Sequence, residues 1–147
     1  MEQVRGGLGY AVGVLELGPM AEEGAPLRTD RLERRVTDSD TAASYAPRLP
    51  AAAATPFILG WAETLCHRML LDDLADGEIT VGARAVIDHL APSPVGATLV
   101  FTASLVRAEG RRRHFEVEVR DGGLLVARIE HRRAVVARAA VEQRLAR

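Results

Sequence analysis

The sequence predicts an α+β domain: one antiparallel sheet wrapped around one central helix. Three observations predict it. An apolar helical segment follows a proline-interrupted stretch near residue 55. Segments of alternating polarity fill the rest of the chain. The connections between those segments are short and carry Gly or Asp-Gly, which suits hairpins and not crossover helices. At 147 residues the chain is one domain's worth, able to bury a core without metal or disulfide help.

Taken in order, residues 1–28 read as a glycine-rich N-terminal extension that ends in the charged, turn-like MAEEGAPLRTD. Within it, YAVGVLEL alternates enough to form an extra strand. The folded domain is expected over 29–147. LERRV is a short strand, and TDSDTAASYAPRLPAAAA is a polar, proline-broken stretch expected to wrap a pocket mouth. The helix start is signalled by Thr55 as N-cap and Pro56 at the first helical position. Phe57, Ile58, Leu59, Trp61, Ala62, Leu65, Cys66, Met69, Leu70 and Leu71 cover more than half of its circumference, so an enclosed helix is expected. Gly60 within it costs ~1 kcal/mol relative to Ala, which suggests close approach of a backbone or a ligand. Gly77 is expected to end the helix.

Four strands follow as a meander. ITVGARAVIDH places Ile79, Val81, Ala83, Ala85, Ile87 and His89 on one face. GATLVFTASLVRA alternates Leu99, Phe101, Ala103 and Leu105 with polar residues. RHFEVEVR sets Phe115, Val117 and Val119 opposite Glu116, Glu118 and Arg120, and LLVARIEHRRAVV is the last strand. AEGRRR and RDGGL are hairpin turns, and ARAAVEQRLAR is a short terminal helix. A sheet curved around one helix leaves an open edge, so a homodimer that covers this edge is expected.

Composition excludes several functions. The 19 basic residues, all arginine, are interspersed with 20 acidic ones and leave no basic face for nucleic acid. No apolar run is long enough for a membrane span. The lone Cys66 forbids an internal disulfide and fits a reducing compartment, and the N-terminus is a poor secretory signal. A cytoplasmic protein is expected. His67, His114, His131 and Cys66 make no convincing metal spacing and read as structural or solvent-facing, so neither metal nor cofactor is expected.

What remains is a carboxylate, Glu63, in the middle of an apolar helix. The segments TPFILGWAETL, GARAVIDHLAPSPVGATL and IEHRRAVV resemble the hotdog-fold acyl-CoA thioesterases of the fluoroacetyl-CoA thioesterase group, from about Leu32 to Val136. In that group a Thr begins the helix, a Glu follows eight residues on, and a His lies 26 residues beyond the Glu. Thr55, Glu63 and His89 stand at those spacings, with Gly82 seven positions before the His and Arg133 on the last strand. The resemblance implies hydrolysis of an acyl-CoA or acyl-carrier-protein thioester, with Thr55, Glu63 and His89 catalytic.

Chemistry makes those roles intelligible. A poorly solvated Glu63 is expected to be unusually basic and to attack the carbonyl or activate water. His89 is expected to orient Glu63 or water and to return a proton to sulfur. Thr55 sits where helix amides favour an oxyanion, Gly82 allows close approach of its backbone, and Arg133 is expected to hold substrate. Taken singly, Thr55 reads equally as a cap, Glu63 as a solvated partner of His67, and His89 as a strand-end histidine. The matched spacing favours the joint reading. The lid differs from the family pattern. Leu49 precedes Pro50 where the family example has Phe, and Tyr45 is the stretch's one aromatic residue. Both are expected to touch substrate, and the acyl group is expected to be short or medium and not fluoroacetyl. Two rivals remain. A non-catalytic acyl-CoA binder would not need all three polar residues. An enoyl-CoA hydratase lacks its D-x-N-P-x-H signature here.

Overall fold

In the computed structural model, residues 25–147 are described. One sheet holds five antiparallel strands, β1 (Arg28–Arg35), β2 (Glu78–His89), β3 (Thr98–Glu109), β4 (Arg112–Asp121) and β5 (Leu124–Ala137), in the order β1-β3-β4-β5-β2. Helix α1 (Thr55–Arg68) packs on one face, and α2 (Arg138–Leu145) follows β5. The expected strand YAVGVLEL lies outside the described residues.

Strand alternation decides the core. Leu99, Phe101, Ala103 and Leu105 of β3 are buried, as are Phe115, Val117 and Val119 of β4 and Ala127 and Ile129 of β5. They meet Ile58, Ala62, Leu65 and Cys66 of α1. Each fully buried Phe contributes on the order of 2–3 kcal/mol by leaving water. Glu116, Glu118 and Arg120 point away, giving the sheet one wet face. Gly110 (φ +57°) and Gly122 (φ +61°) carry the β3–β4 and β4–β5 turns in the left-handed conformation that tight hairpins need. Among the described residues no helix is long and apolar enough to cross a membrane.

Several expectations need correction. The meander has three strands, not four: β2 lies beyond β5, so the connection from β2 must cross to β3 at the far side of β4. That connection is pinned to the chain just before α1, with the Ala53 amide donating to the Ser93 carbonyl (2.8 Å) and a bridge between Ala52 and Pro94.

The face of β2 is also not continuous. Gly82 pairs with Arg133 and Arg84 with Arg132, so Ala83 is bulged out. Before the bulge Thr80 and Gly82 share a side with the inward residues of β5, and after it Ala85, Ile87 and His89 do. A single extra residue exchanges the two sides of a period-two strand. It therefore lets Gly82 and His89, an odd number of residues apart, share one side.

Helix α1 is not enclosed within one chain. Ile58, Ala62, Leu65 and Cys66 are buried, Phe57, Leu59, Trp61, Glu63 and His67 are half-buried, and Pro56, Gly60 and Thr64 are exposed. Trp61 lies at the core's rim, with the Arg34 guanidinium 3.8 Å from its ring centre. The N-cap position belongs to Ala54, so Thr55 is helical and its hydroxyl is used elsewhere. The helix ends at Arg68 rather than near Leu71. Gly77 (φ +82°) serves the turn into β2.

Candidate active site

Glu63 projects from the middle of α1 toward the inward side of β2 and β5, where β5 presents His131 and Arg133 in place of apolar residues. Arg133 is 7% exposed, and its guanidinium is held from several sides. Nε donates to Thr80 Oγ1 (2.9 Å) and Nη2 to the Thr80 carbonyl (3.1 Å). Nη1 donates to Glu63 Oε1 (3.2 Å) and to His131 Nε2 (3.0 Å). A planar fork with five fixed donors suits this arrangement, and a point-charge ammonium would not. Burial pulls the Arg133 guanidinium below its ordinary range, while the Glu63 carboxylate opposes that change.

The tautomer of His131 follows from its partners. Nδ1 is 3.0 Å from the Arg84 carbonyl, which can only accept, so Nδ1 carries the proton. Nε2 faces Arg133, which can only donate, so Nε2 is an acceptor. Burial, followed by the charge of Arg133, lowers the pKa of His131, which keeps the ring neutral at pH 7. The 3.5 Å approach of His131 Nε2 to Glu63 Oε1 is then not an ion pair. Arg133 is the cation that holds the carboxylate.

Gly82 makes room for that carboxylate. A Cβ built on Gly82 would collide with Glu63 Oε1 and lie 3.4 Å from His131 Cε1. The expectation of a poorly solvated Glu63 does not hold within one chain. Its side chain is 40% exposed, and one oxygen is paired with a cation. Both contacts use Oε1, which leaves Oε2 for other work beside a cavity of ≈360 Å³ lined by Gly60, Glu63, Thr64, His67, Thr80 and Arg133.

Thr55 and His89 form a separate pair. Thr55 Oγ1 and His89 Nδ1 are 2.8 Å apart at the start of α1, next to the pinned connection after β2. His89 Nε2 is buried and has no hydrogen-bond partner among the described residues. Eight helical residues separate Thr55 from Glu63, which is about 12 Å along the axis. Within one chain His89 therefore bonds Thr55 and makes no hydrogen bond to Glu63. Tyr45 and Leu49 stand exposed on the loop before α1 and do not line the cavity beside Glu63.

Sequence reasoning missed His131, Thr80 and His67 as members of the site. The signal for His131 was present. On β5, Ile129, His131 and Arg133 are spaced by two, so a buried Ile129 and a functional Arg133 imply an inward His131. His67 was expected to be structural or solvent-facing. It is half-buried, one turn beyond Glu63, with Nδ1 2.7 Å from Thr80 Oγ1. Cys66 is structural, as expected: burial pushes its thiol up to about 12, so it supplies no thiolate at neutral pH. Among the described residues no cluster of His, Cys, Asp or Glu could hold a metal ion.

Residues 36–139 match the family of fluoroacetyl-CoA-specific thioesterases. Over 87 residues the chain is 36% identical to the fluoroacetyl-CoA thioesterase of Streptantibioticus cattleyicolor, a span of 59% of this chain and 63% of that protein. Among solved structures it resembles a mutant of the fluoroacetyl-CoA-specific thioesterase in complex with fluoroacetate and CoA. The TM-score is 0.70 and the identity 29%, over 75% of this chain and 93% of the other. A hot-dog-like protein from Thermanaerovibrio acidaminovorans gives a TM-score of 0.75 at 27% identity, over 88% and 92% of the two chains.

Proposed function

This chain belongs to the family of fluoroacetyl-CoA-specific thioesterases, and we propose that it hydrolyses an acyl-CoA thioester to a free acid and coenzyme A. The observation that carries the reading is the seating of Glu63. Arg133 binds Oε1 at 3.2 Å, Gly82 leaves space for it, and Oε2 stays uncommitted among the described residues, beside a cavity. A carboxylate held this way has one fixed oxygen and one reactive oxygen. Oε2 either attacks the thioester carbon, forming an anhydride as the C–S bond breaks, or takes a proton from the water that attacks. The thiolate is a good leaving group and needs one proton afterwards. In this reading His89 supplies it, while Thr55 sets the ring and faces the developing oxyanion at the helix N-terminus.

A homodimer is part of this reading. β2 has one neighbour, β5, so its other edge is unpaired among the described strands. Val86, on β2, and Leu90, just beyond it, are exposed apolar residues. A second copy pairing there would bring its Thr55 and His89 toward the Glu63 of the first, which resolves the separation found within one chain. Tyr45 and Leu49 are assigned to the mouth of the acyl site. The setting is the cytoplasm, where coenzyme A thioesters are handled and a lone thiol stays reduced.

The test is thiol release across acyl-CoA thioesters from acetyl to palmitoyl, repeated with acyl-carrier-protein thioesters. Turnover that falls by at least two orders of magnitude in both Glu63→Ala and His89→Ala supports the enzyme. Flat, negligible rates despite tight acyl-CoA binding would leave a non-catalytic binder. A single turnover in heavy-oxygen water separates the two Glu63 roles, because only nucleophilic attack delivers unlabelled oxygen from Glu63 to the acid.

A further inference from the structure

We propose that His67 contacts substrate in this site, donating from Nε2–H to an oxygen carried by the acyl group, and so favours short acyl thioesters with a neutral oxygen substituent over plain alkyl ones. The inference rests on the thioesterase reading above and names its substrate class.

Placement comes first. His67 follows Glu63 by one helical turn, which puts the two side chains on the same side of α1. Both line the same cavity, with Gly60, Thr64, Thr80 and Arg133. That lining contains no Val, Leu, Ile or Phe among the described residues. A Cβ at Gly60 would meet nothing within 4 Å, so intrachain packing does not demand a glycine there. The missing side chain keeps the cavity open over Glu63.

Hydrogen bonding then orients the imidazole. The Thr80 hydroxyl accepts from Arg133 Nε (2.9 Å) and has one proton of its own to give. We assign that proton to His67 Nδ1, 2.7 Å away, which makes Nδ1 the acceptor. With Nδ1 accepting, the neutral ring carries its proton on Nε2. Thr64 and Arg133, the other side chains of the lining with N–H or O–H donors besides Thr80, turn theirs mainly to protein partners, and the free Glu63 Oε2 is an acceptor. Thr64 Oγ1 donates to the Gly60 carbonyl (2.9 Å), and Arg133 directs four N–H bonds at Thr80, Glu63 and His131. His67 Nε2–H is thus the positioned imidazole donor of the cavity, held by a chain that runs from Arg133 through Thr80.

The acceptor it fits is an uncharged hydroxyl or keto oxygen. A carboxylate on the acyl chain would lie close to the negative charge of Glu63, whose free oxygen must reach the thioester carbon. A site that pairs a substrate oxygen discriminates against the analogue without it, since the donor is then left unmet in a half-buried position.

The experiment compares kcat/KM for butanoyl-CoA with 3-hydroxybutanoyl-CoA and 3-oxobutanoyl-CoA, using the full chain and its His67→Leu and His67→Gln variants. Wild type is expected to prefer the oxygenated substrates by tenfold or more. His67→Leu should bring the ratio to within about twofold of one, and His67→Gln, which retains an N–H donor, should restore part of it. Using a ratio makes the readout independent of any overall loss of active protein. A wild-type preference for butanoyl-CoA, or a ratio unchanged in His67→Leu, overturns the assignment while leaving the thioesterase intact. Absence of Glu63-dependent turnover on every thioester overturns both.

Discussion

Replacing Gly82 by Ala tests the seating of the carboxylate most directly. The new Cβ would sit inside van der Waals contact of Glu63 Oε1, and the carboxylate would have to retreat by about 1 Å to restore a normal carbon–oxygen separation. The obstacle is the far end of a side chain that is 40% exposed, so the retreat is a rotation toward solvent and not a rearrangement of the core. Fold stability should therefore change by no more than about 1 kcal/mol, because Ala also orders the strand better than Gly. Activity should respond far more. A misplacement of about 1 Å in a reacting group costs roughly a hundredfold in rate. The assay pairs steady-state thiol release with a thermal melt. The expected result is a kcat reduced about a hundredfold at a nearly unchanged Tm, with no further loss when Gly82→Ala is added to Glu63→Ala. Wild-type kcat in a stable Gly82→Ala protein would refute the claim that this glycine seats the carboxylate.

Two further perturbations read other parts of the site and core. Arg133→Lys keeps a charge but loses the fork that binds Thr80 Oγ1, the Thr80 carbonyl, His131 and Glu63 together. It should cost on the order of 1–3 kcal/mol in urea unfolding and lower kcat more than tenfold, whereas full stability would mean the fork is dispensable. His114 is 1% exposed, and burial, reinforced by Arg132, Arg107 and Arg112, lowers its pKa from 6.5 to about 4. The unfolded chain takes up this proton first as pH falls, so folding stability declines from about pH 6.5 down to about pH 4 and is flat below. The whole drop is on the order of 3 kcal/mol. His114→Phe, which also removes a buried Nε2 without a partner, should flatten that decline when unfolding is measured at pH 7 and pH 5. An equally steep decline in the variant would assign the acid sensitivity to other groups, with His131 the next to test.

Local chemistry made a good part of this molecule legible. Alternation alone placed Leu99, Phe101, Ala103 and Leu105, and Phe115, Val117 and Val119, on the inward faces, because the pleat leaves a strand only two sides. The Gly-containing hairpins and α1 followed from short-range backbone preferences, and the spacing of Thr55, Glu63 and His89 was visible without coordinates. Where β2 sits was not visible. Its place beside β5 depends on which strand edge is free once the β3–β4–β5 hairpins have formed, a choice made by contacts far apart in sequence.

The site shows the same division more sharply. A bulge at Ala83 exchanges the sides of β2; Gly82 beside it is a local sign of an irregular strand, but which residues the bulge brings together follows from matching β2 to the inward run of β5. That register puts Gly82 beside Arg133, brings Thr80 to Arg133 and His67, and makes a histidine expected to be structural or solvent-facing part of the cavity wall. It also leaves Thr55 with His89 at one end of α1 and Glu63 with Arg133 in its middle. The sequence by itself determined which chemical groups this chain owns and which way most strands face. Tertiary structure decided which groups meet, since a hydrogen bond reaches about 3 Å and the partners lie tens of residues apart along the chain.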